Sequence, residues 1–340
     1  MHTTMCLTLL APTIRTFAFR VAIQGEMMSA YIVNRMIWFI PTLFVIALLT
    51  FLILKATPGS SGVVSGNAQQ VSASAVEQLE KQYGLDKPLY QQFGLYIWNA
   101  AHGDFGDSFV YRSQSVTSII TRTFPTSLKL GIYATILAVV VGMILGVVSA
   151  VHQNGALDYF SVWIAVLFYS LPNFVMGFVL ILLFVVYLPR IGIDLAFNVG
   201  GLATWKDWIL PTIALAAAPL ATIARFTRSS VIDVIHSDFV RVARAKGLSE
   251  NKILIVHVMR NSLIPVVTLI GPIFAAVATG SFFVEAVFNI PGMGLYYVES
   301  FVSKDQPMIL AVTLIYAVML AFMNVVVDIV YGFIDPRIRN

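Results

Sequence analysis

Long apolar stretches separated by polar ones set the plan of this chain. A helix crossing about 30 Å of hydrocarbon needs about 20 mostly apolar residues. Windows of that kind lie at Met36–Leu54, Ser127–Val151, Phe160–Leu188, Trp208–Arg225, Leu263–Val287 and Met308–Phe333. Soluble helices of this length show a polar face, and these do not. The pattern predicts an all-α, polytopic membrane protein with six transmembrane helices. The third window is too long for one straight span, and Leu171-Pro172-Asn173 interrupts it. A kinked or two-part helix is expected there.

Composition agrees. Of 340 residues, 58% are hydrophobic and 11% charged, where a soluble domain carries about 25% charged residues. The one cysteine, Cys6, excludes an internal disulfide framework and a cysteine-based zinc site. A net charge of +4, with no basic soluble face interleaved with aromatics, excludes nucleic-acid binding. His152 and His257 have no clustered partners in the sequence, so no metal site is expected.

The placement of basic residues carries more information than their sum. Arg225, Arg228, Arg241, Arg244, Lys246, Lys252 and Arg260 fall in or beside the loop between the fourth and fifth windows. With six spans, Arg35, Arg337 and Arg339 join them on the same side. Lys55, Arg190, Lys206 and Lys304 flank the opposite ends. Excess Lys and Arg in short loops marks the cytoplasmic side, so both termini are expected there. The chain then divides into a lead-in at 1–35, a membrane domain at 36–333 and a tail at 334–340. The membrane domain includes an external segment at 56–126 and a cytoplasmic loop at 226–262. Cys6–Pro12 lacks a basic flank, which argues against a cleaved signal peptide. Either Arg15 and Arg20 belong to a surface-lying helix or translation begins at Met28; the second fits the pattern better.

In the external segment, Ser74-Ala75-Val76-Glu77 matches a capping box, starting a helix that stops near Gly84. Beyond Pro88, Leu89, Phe93, Tyr96 and Ile97 recur at helical spacing. Asp104-Phe105-Gly106 spells a kinase tripeptide without its companion motifs and reads as a turn. Pro291-Gly292-Met293-Gly294 marks a tight turn holding the next segment against the fifth span, with a gating role as the alternative.

Charge inside a bilayer is costly, so each buried ionisable group needs a reason. Asp328, one turn after Asn324, is expected near the inner end of the last span, paired with a basic loop residue such as Arg225 or Arg228. Glu285 is expected near the outer end of the fifth span, solvated by water or a neighbouring subunit. Gly142 and Gly146 form a G-x-x-x-G pair, suited equally to packing within the subunit or between subunits.

The stretch Asp238–Leu248 is a polar, basic, helix-prone segment between two long apolar runs. Asp238 or Ser237 can cap a helix running to Lys246, with Gly247 as its left-handed end. Ser249 can cap a second helix, with Glu250 in its first turn, leading into the fifth span. Phe239, Val242 and Ala243 are expected to share an apolar face, with Arg241 and Arg244 on another. Such a helix suits a partner's groove, and equally an inner loop that is basic through topology or lies on anionic lipid.

Arg241-Val242-Ala243-Arg244-Ala245-Lys246-Gly247 resembles the EAA loop of ABC importer permeases in its peptide-permease form. The general pattern is Glu-Ala-Ala, three residues, then Gly, with Ile-x-Leu-Pro further on. Ala243 and Gly247 keep it, while Arg241, Val242 and His257-Val258-Met259-Arg260 depart from it as the peptide branch does. Tyr83–Leu89, His102–Gly106, Ala224–Ser230 and Asp335–Arg339 resemble the same branch. Ser108–Gly131 and Gly271–Gly294 lean toward its oligopeptide B-type subunit.

The resemblance implies a type I ABC importer permease architecture. It implies partnership with a homologous second permease subunit, two ABC ATPase subunits and an external substrate-binding protein. The cargo would be a peptide, with dipeptides, glutathione or nickel as alternatives. Asp238, Arg241, Ala243, Lys246 and Gly247 would form the ATPase contact. The sequence has no G-x-x-x-x-G-K-S/T phosphate loop, so ATP and Mg would sit on the partner ATPases and this chain would be no enzyme. A secondary carrier or channel is the competing class; it calls for internal repeats and a row of intramembrane charges.

Overall fold

The computed structural model describes residues 37–57, 86–111, 114–279 and 282–334. The Ser74–Glu77 capping box, the Met28 start, Cys6–Pro12 and the tail at 335–340 lie outside the described residues. In chain order the helices are α1 (Ile37–Ala56), α2 (Leu89–Ala101), α3 (Val116–Val151) and α4 (Ala156–Ser170). They continue as α5 (Asn173–Arg190) and α6 (Trp205–Ile235), α7 (Asp238–Ala245) and α8 (residues 250–279). The chain closes with α9 (Phe282–Val287), α10 (Met293–Ser303) and α11 (Gln306–Ile334). Among the described residues the only β-pairing is an isolated bridge between Asp107 and Ser115.

Among the described residues every predicted window is helical apart from the break at Leu171-Pro172, and most helices overrun their windows. α3 starts at Val116 rather than Ser127, with Pro125 inside it. Ser115 caps it, its hydroxyl accepting the Ser118 N–H at 3.2 Å. Val116, Ile119, Ile120 and Thr123 are buried at helical spacing along this added stretch, so an amphipathic N-terminal extension takes the place of the expected loop. The 36 residues of α3 make a rod of about 54 Å, longer than the hydrocarbon is thick. α6 likewise runs past Arg225 to Ile235. The third window is a broken helix. Leu171 is extended (φ −93°, ψ 126°), Pro172 precedes the first residue of α5, and residues 182–187 form a π-helical turn. α8 is continuous from Glu250 but bends by 50° between Leu263 and Pro265.

α6 is the central helix: 56% of its most apolar window is buried, against 11% for α1. Its buried face is made of small residues, including Ala214, Ala216, Ala217, Ala221 and Ala224. α3 lies along this face in the most extensive helix contact of the molecule. A Cβ at Gly142 would stand 2.9 Å from the Leu220 carbonyl oxygen, and one at Gly146 would stand 2.6 Å from that of Ala224. The G-x-x-x-G pair therefore packs within the subunit. Trp38, Ile40, Ile53, Phe160 and Trp163 point outward and are exposed, as expected of a bundle whose solvent is lipid. Phe93 of α2 sits 5.4 Å from both Phe44 and Phe51 of α1, ring centre to ring centre.

The end opposite the basic loop is tied by carboxylates. Asp104-Phe105-Gly106 is a turn, with the Gly106 N–H donating to Asp104 Oδ1 at 2.9 Å. Asp305, fully buried, accepts from the Ser108 hydroxyl, from the Phe109 N–H at 3.2 Å and from the Met308 N–H at 3.5 Å. It caps α11 and pins the Ser108–Phe109 stretch to it. Asp305→Ala is expected to lower stability by about 1–3 kcal/mol through the buried donors it strands, read as a lower Tm of the solubilised protein. An unchanged Tm would remove this role.

Glu285 differs from expectation. It is fully buried, and the Pro291–Gly294 turn folds over it, with the Gly294 N–H donating to its Oε2 at 2.7 Å. Met293 N–H donates to Ser127 Oγ at 2.8 Å. The turn does hold the next segment against the bundle, and its own amides stand where water or a neighbouring subunit was expected. A Cβ at Gly292 would meet Glu285 Oε2 at 2.3 Å, so the turn requires glycine to close.

Candidate functional site

The basic loop is almost wholly helical. After the end of α6, Ser237 takes an extended conformation and precedes α7. The Ser237 hydroxyl donates back to the Val234 carbonyl at 2.6 Å, so its backbone makes the cap and Asp238 supplies the favourable first-turn charge. At the other end Gly247 has φ +77°. Its N–H donates to the Arg244 carbonyl at 2.9 Å and the Leu248 N–H to that of Ala243 at 3.4 Å. This is the glycine corner expected from the sequence. Arg244 then reaches across it to Glu250 with two hydrogen bonds, 2.8 and 3.1 Å. The guanidinium holds the Glu250 carboxyl below its usual value. Both side chains face solvent, so the pair orients the corner more than it stabilises it.

α7 has two faces. Val240 (0% exposed) and Ala243 (6%) pack inward against Ala150, Val231, Ile253 and Val258. Phe239 (45%) and Val242 (53%) face outward. Asp238, Arg241, Lys246 and Gly247 are exposed around them. The expected grouping of Phe239, Val242 and Ala243 is thus divided. Ala243 lies on the boundary of that arc, and the apolar floor offered by α3, α6 and α8 draws it inward with Val240. Of the residues singled out in sequence, Asp238, Arg241, Lys246 and Gly247 stand on the open side, and Ala243 seats the helix on its own chain.

Beneath this seat lies an ion pair not anticipated from the sequence. Arg228 of α6 is bidentate to Asp158 in the first turn of α4, with Nε to Oδ1 and Nη2 to Oδ2 both at 2.8 Å. Asp158 also accepts from the Ser149 hydroxyl and, at 2.9 Å, from the Asn154 N–H. It is 3% exposed. Arg225 lies over the Tyr169 ring, 4.3 Å from its centre. Arg228 is thus bound to Asp158 and Arg225 lies on an aromatic face; the expected pairing of Asp328 with a basic loop residue falls on a side chain outside the described residues. The sequence signal for Asp158 was an acid just after Gly155 at a helix start, and nothing local ties it to Arg228, far along the chain.

A bundle of long apolar helices with outward-facing apolar side chains is that of a multi-pass membrane protein. The chain belongs to the binding-protein-dependent transport system inner membrane components: that family matches residues 138–340, and its N-terminal counterpart matches residues 28–131. This places it in the cytoplasmic membrane. It is 42% identical to the dipeptide transport system permease protein DppB of Lactococcus lactis subsp. cremoris, over 92% of this chain and 100% of that one. It is 39% identical to the oligopeptide transport system permease protein OppB of Haemophilus influenzae, again over 92% and 100%. Identity to the glutathione transport system permease protein GsiC of Escherichia coli K12 is 41%, over 92% and 99%. These values do not single out the oligopeptide branch. The solved structure of the inward-facing MetNI methionine ABC transporter matches 64% of this chain and 96% of that chain. Its TM-score of 0.52 at 16% identity shows a shared fold.

Proposed function

We propose that this chain is a permease subunit of an ATP-driven importer of peptides, oligopeptides first. It would work beside a homologous second permease subunit, two ATPase subunits and an external substrate-binding protein. The observation that carries this reading is α7, which exposes Phe239 and Val242 alongside the exposed Asp238, Arg241 and Lys246 while its other face is fixed to the bundle. An apolar pair flanked by cations on a short rigid helix fits a groove in a partner. In this reading the basic loop and both termini are cytoplasmic, and ATP and Mg belong to the ATPase subunits. Closure of the ATPases on nucleotide displaces α7, and the bundle turns its cavity from inward to outward for the binding protein to load.

The same architecture carries dipeptides, glutathione or nickel equally well, and the near-equal identities to the dipeptide and glutathione relatives favour keeping those cargoes beside oligopeptides. The complex purified with its binding protein is expected to retain peptides, identified by mass spectrometry. Retention of a metal chelate would overturn the peptide assignment.

A further inference from the structure

We propose that Asp158 and Arg228 are positioning residues for energy coupling, locking the seat of α7 to α4 so that both move as one lever. The proposal rests on the reading of α7 as the ATPase-docking helix.

The geometry runs through consecutive contacts. Val240 and Ala243 rest on a floor that includes Ala150 and Val231. Ser149, the neighbour of Ala150, and Arg228, about one turn before Val231, both bind Asp158. The carboxylate gathers donors from α3, from the α3–α4 corner and from α6, all into the first turn of α4. That corner is tight: Asn154 has φ +63°. Arg225, about one turn before Arg228 on α6, adds a second tie to α4 through the Tyr169 ring. α4 leads through the extended Leu171 into α5, where a Cβ at Gly177 would stand 3.1 Å from the Phe288 ring and 3.3 Å from Val287 of α9. A displacement of α7 therefore meets a rigid block on α3, α6 and α4, and beyond it a jointed one.

A buried ion pair is a weak way to gain stability, because desolvation offsets most of the attraction, and fixing one arrangement among alternatives is its best-attested use. The bidentate fork fixes orientation as well as distance. Deletion of either partner would strand a charge, so the informative variants keep polarity and shape. Asp158→Asn keeps the size and an acceptor oxygen and leaves the Arg228 charge to the solvent that its partly exposed side chain already meets, and Arg228→Lys keeps the charge but loses the fork.

The test uses the assembled transporter with its ATPases and binding protein, reconstituted in lipid, in a Cys6→Ser background carrying a cysteine in place of the exposed Ala245 (Ala245→Cys). ATP hydrolysis is measured with and without the binding protein, and cross-linking from residue 245 to the ATPase is scored in parallel. Both clamp variants are expected to assemble, to cross-link and to hydrolyse ATP at the basal rate. Stimulation by the binding protein is expected to fall about tenfold, within the usual range of coupling energies. Cross-linked variants that keep full stimulation overturn the clamp alone. Failure of both variants to assemble makes the pair a folding element and also overturns it. Absence of the cross-link with Asp158 and Arg228 intact removes the docking reading, and the proposal with it.

Discussion

Gly247→Arg is expected to abolish ATP-driven uptake while leaving the chain inserted at normal levels. Gly247 sits at φ +77°, a region that costs a residue bearing a Cβ about 1–2 kcal/mol. That strain falls on the corner where the Gly247 and Leu248 N–H groups close α7. A Cβ there meets nothing within 4 Å, so the new side chain starts from open space. Gly247 is exposed beside Lys246, on the surface proposed to dock. Insertion should be unaffected, because the corner lies outside the apolar spans. Gly247→Asn is the matched control, since Asn tolerates this conformation and adds no charge. It should keep most of the uptake, which separates backbone strain from obstruction. Uptake is compared with the amount of chain in the membrane by immunoblot; normal uptake by Gly247→Arg would sink the docking assignment.

How much of this was legible beforehand follows from the range of each interaction. The spans were visible because hydrophobic length is a local property, and so was the break at Pro172, which acts on its own backbone. The glycine corner was visible for the same reason: capping chemistry spans a few residues. Helix ends were misjudged where polarity was mistaken for loop, as at Thr121–Thr126 in the N-terminal part of α3. There a buried apolar face continues beneath the polar one. The two faces of α7 could not be assigned, because Ala243 belongs to either arc until the floor beneath it is known. Asp158 with Arg228, Asp305 with Ser108, and Glu285 with the Gly294 amide were illegible, since each joins segments whose approach depends on the packing of the whole bundle. A charge near a span announces that a partner exists. The fold decides which partner it is.

The close approach of α3 and α6 is where a single added group is expected to do most damage to the fold itself. At Gly146 a Cβ would lie 2.6 Å from the Ala224 carbonyl oxygen and 2.6 Å from the Thr227 Cβ. The first of these is backbone, in the middle of the most buried helix, and cannot swing aside. Gly146→Val would force the two helices apart along a face of small residues that exists to let them meet. Overpacking of this kind costs about 1–3 kcal/mol where neighbours can adjust, and more where they cannot. Gly142→Ala is expected to be milder, because its Cβ would stand 2.9 Å from the Leu220 carbonyl oxygen and 3.0 Å from the Ile223 side chain. The floor under α7 depends on the same pair of helices through Ala150 and Val231, so Gly146→Val should also loosen the seat of the loop helix. The measurement is the yield and thermal stability of the solubilised subunit, followed by its assembly with partners. Both yield and Tm should fall sharply for Gly146→Val. A normal Tm with failed assembly would instead move this face to the contact between subunits and overturn its assignment to the α3–α6 crossing.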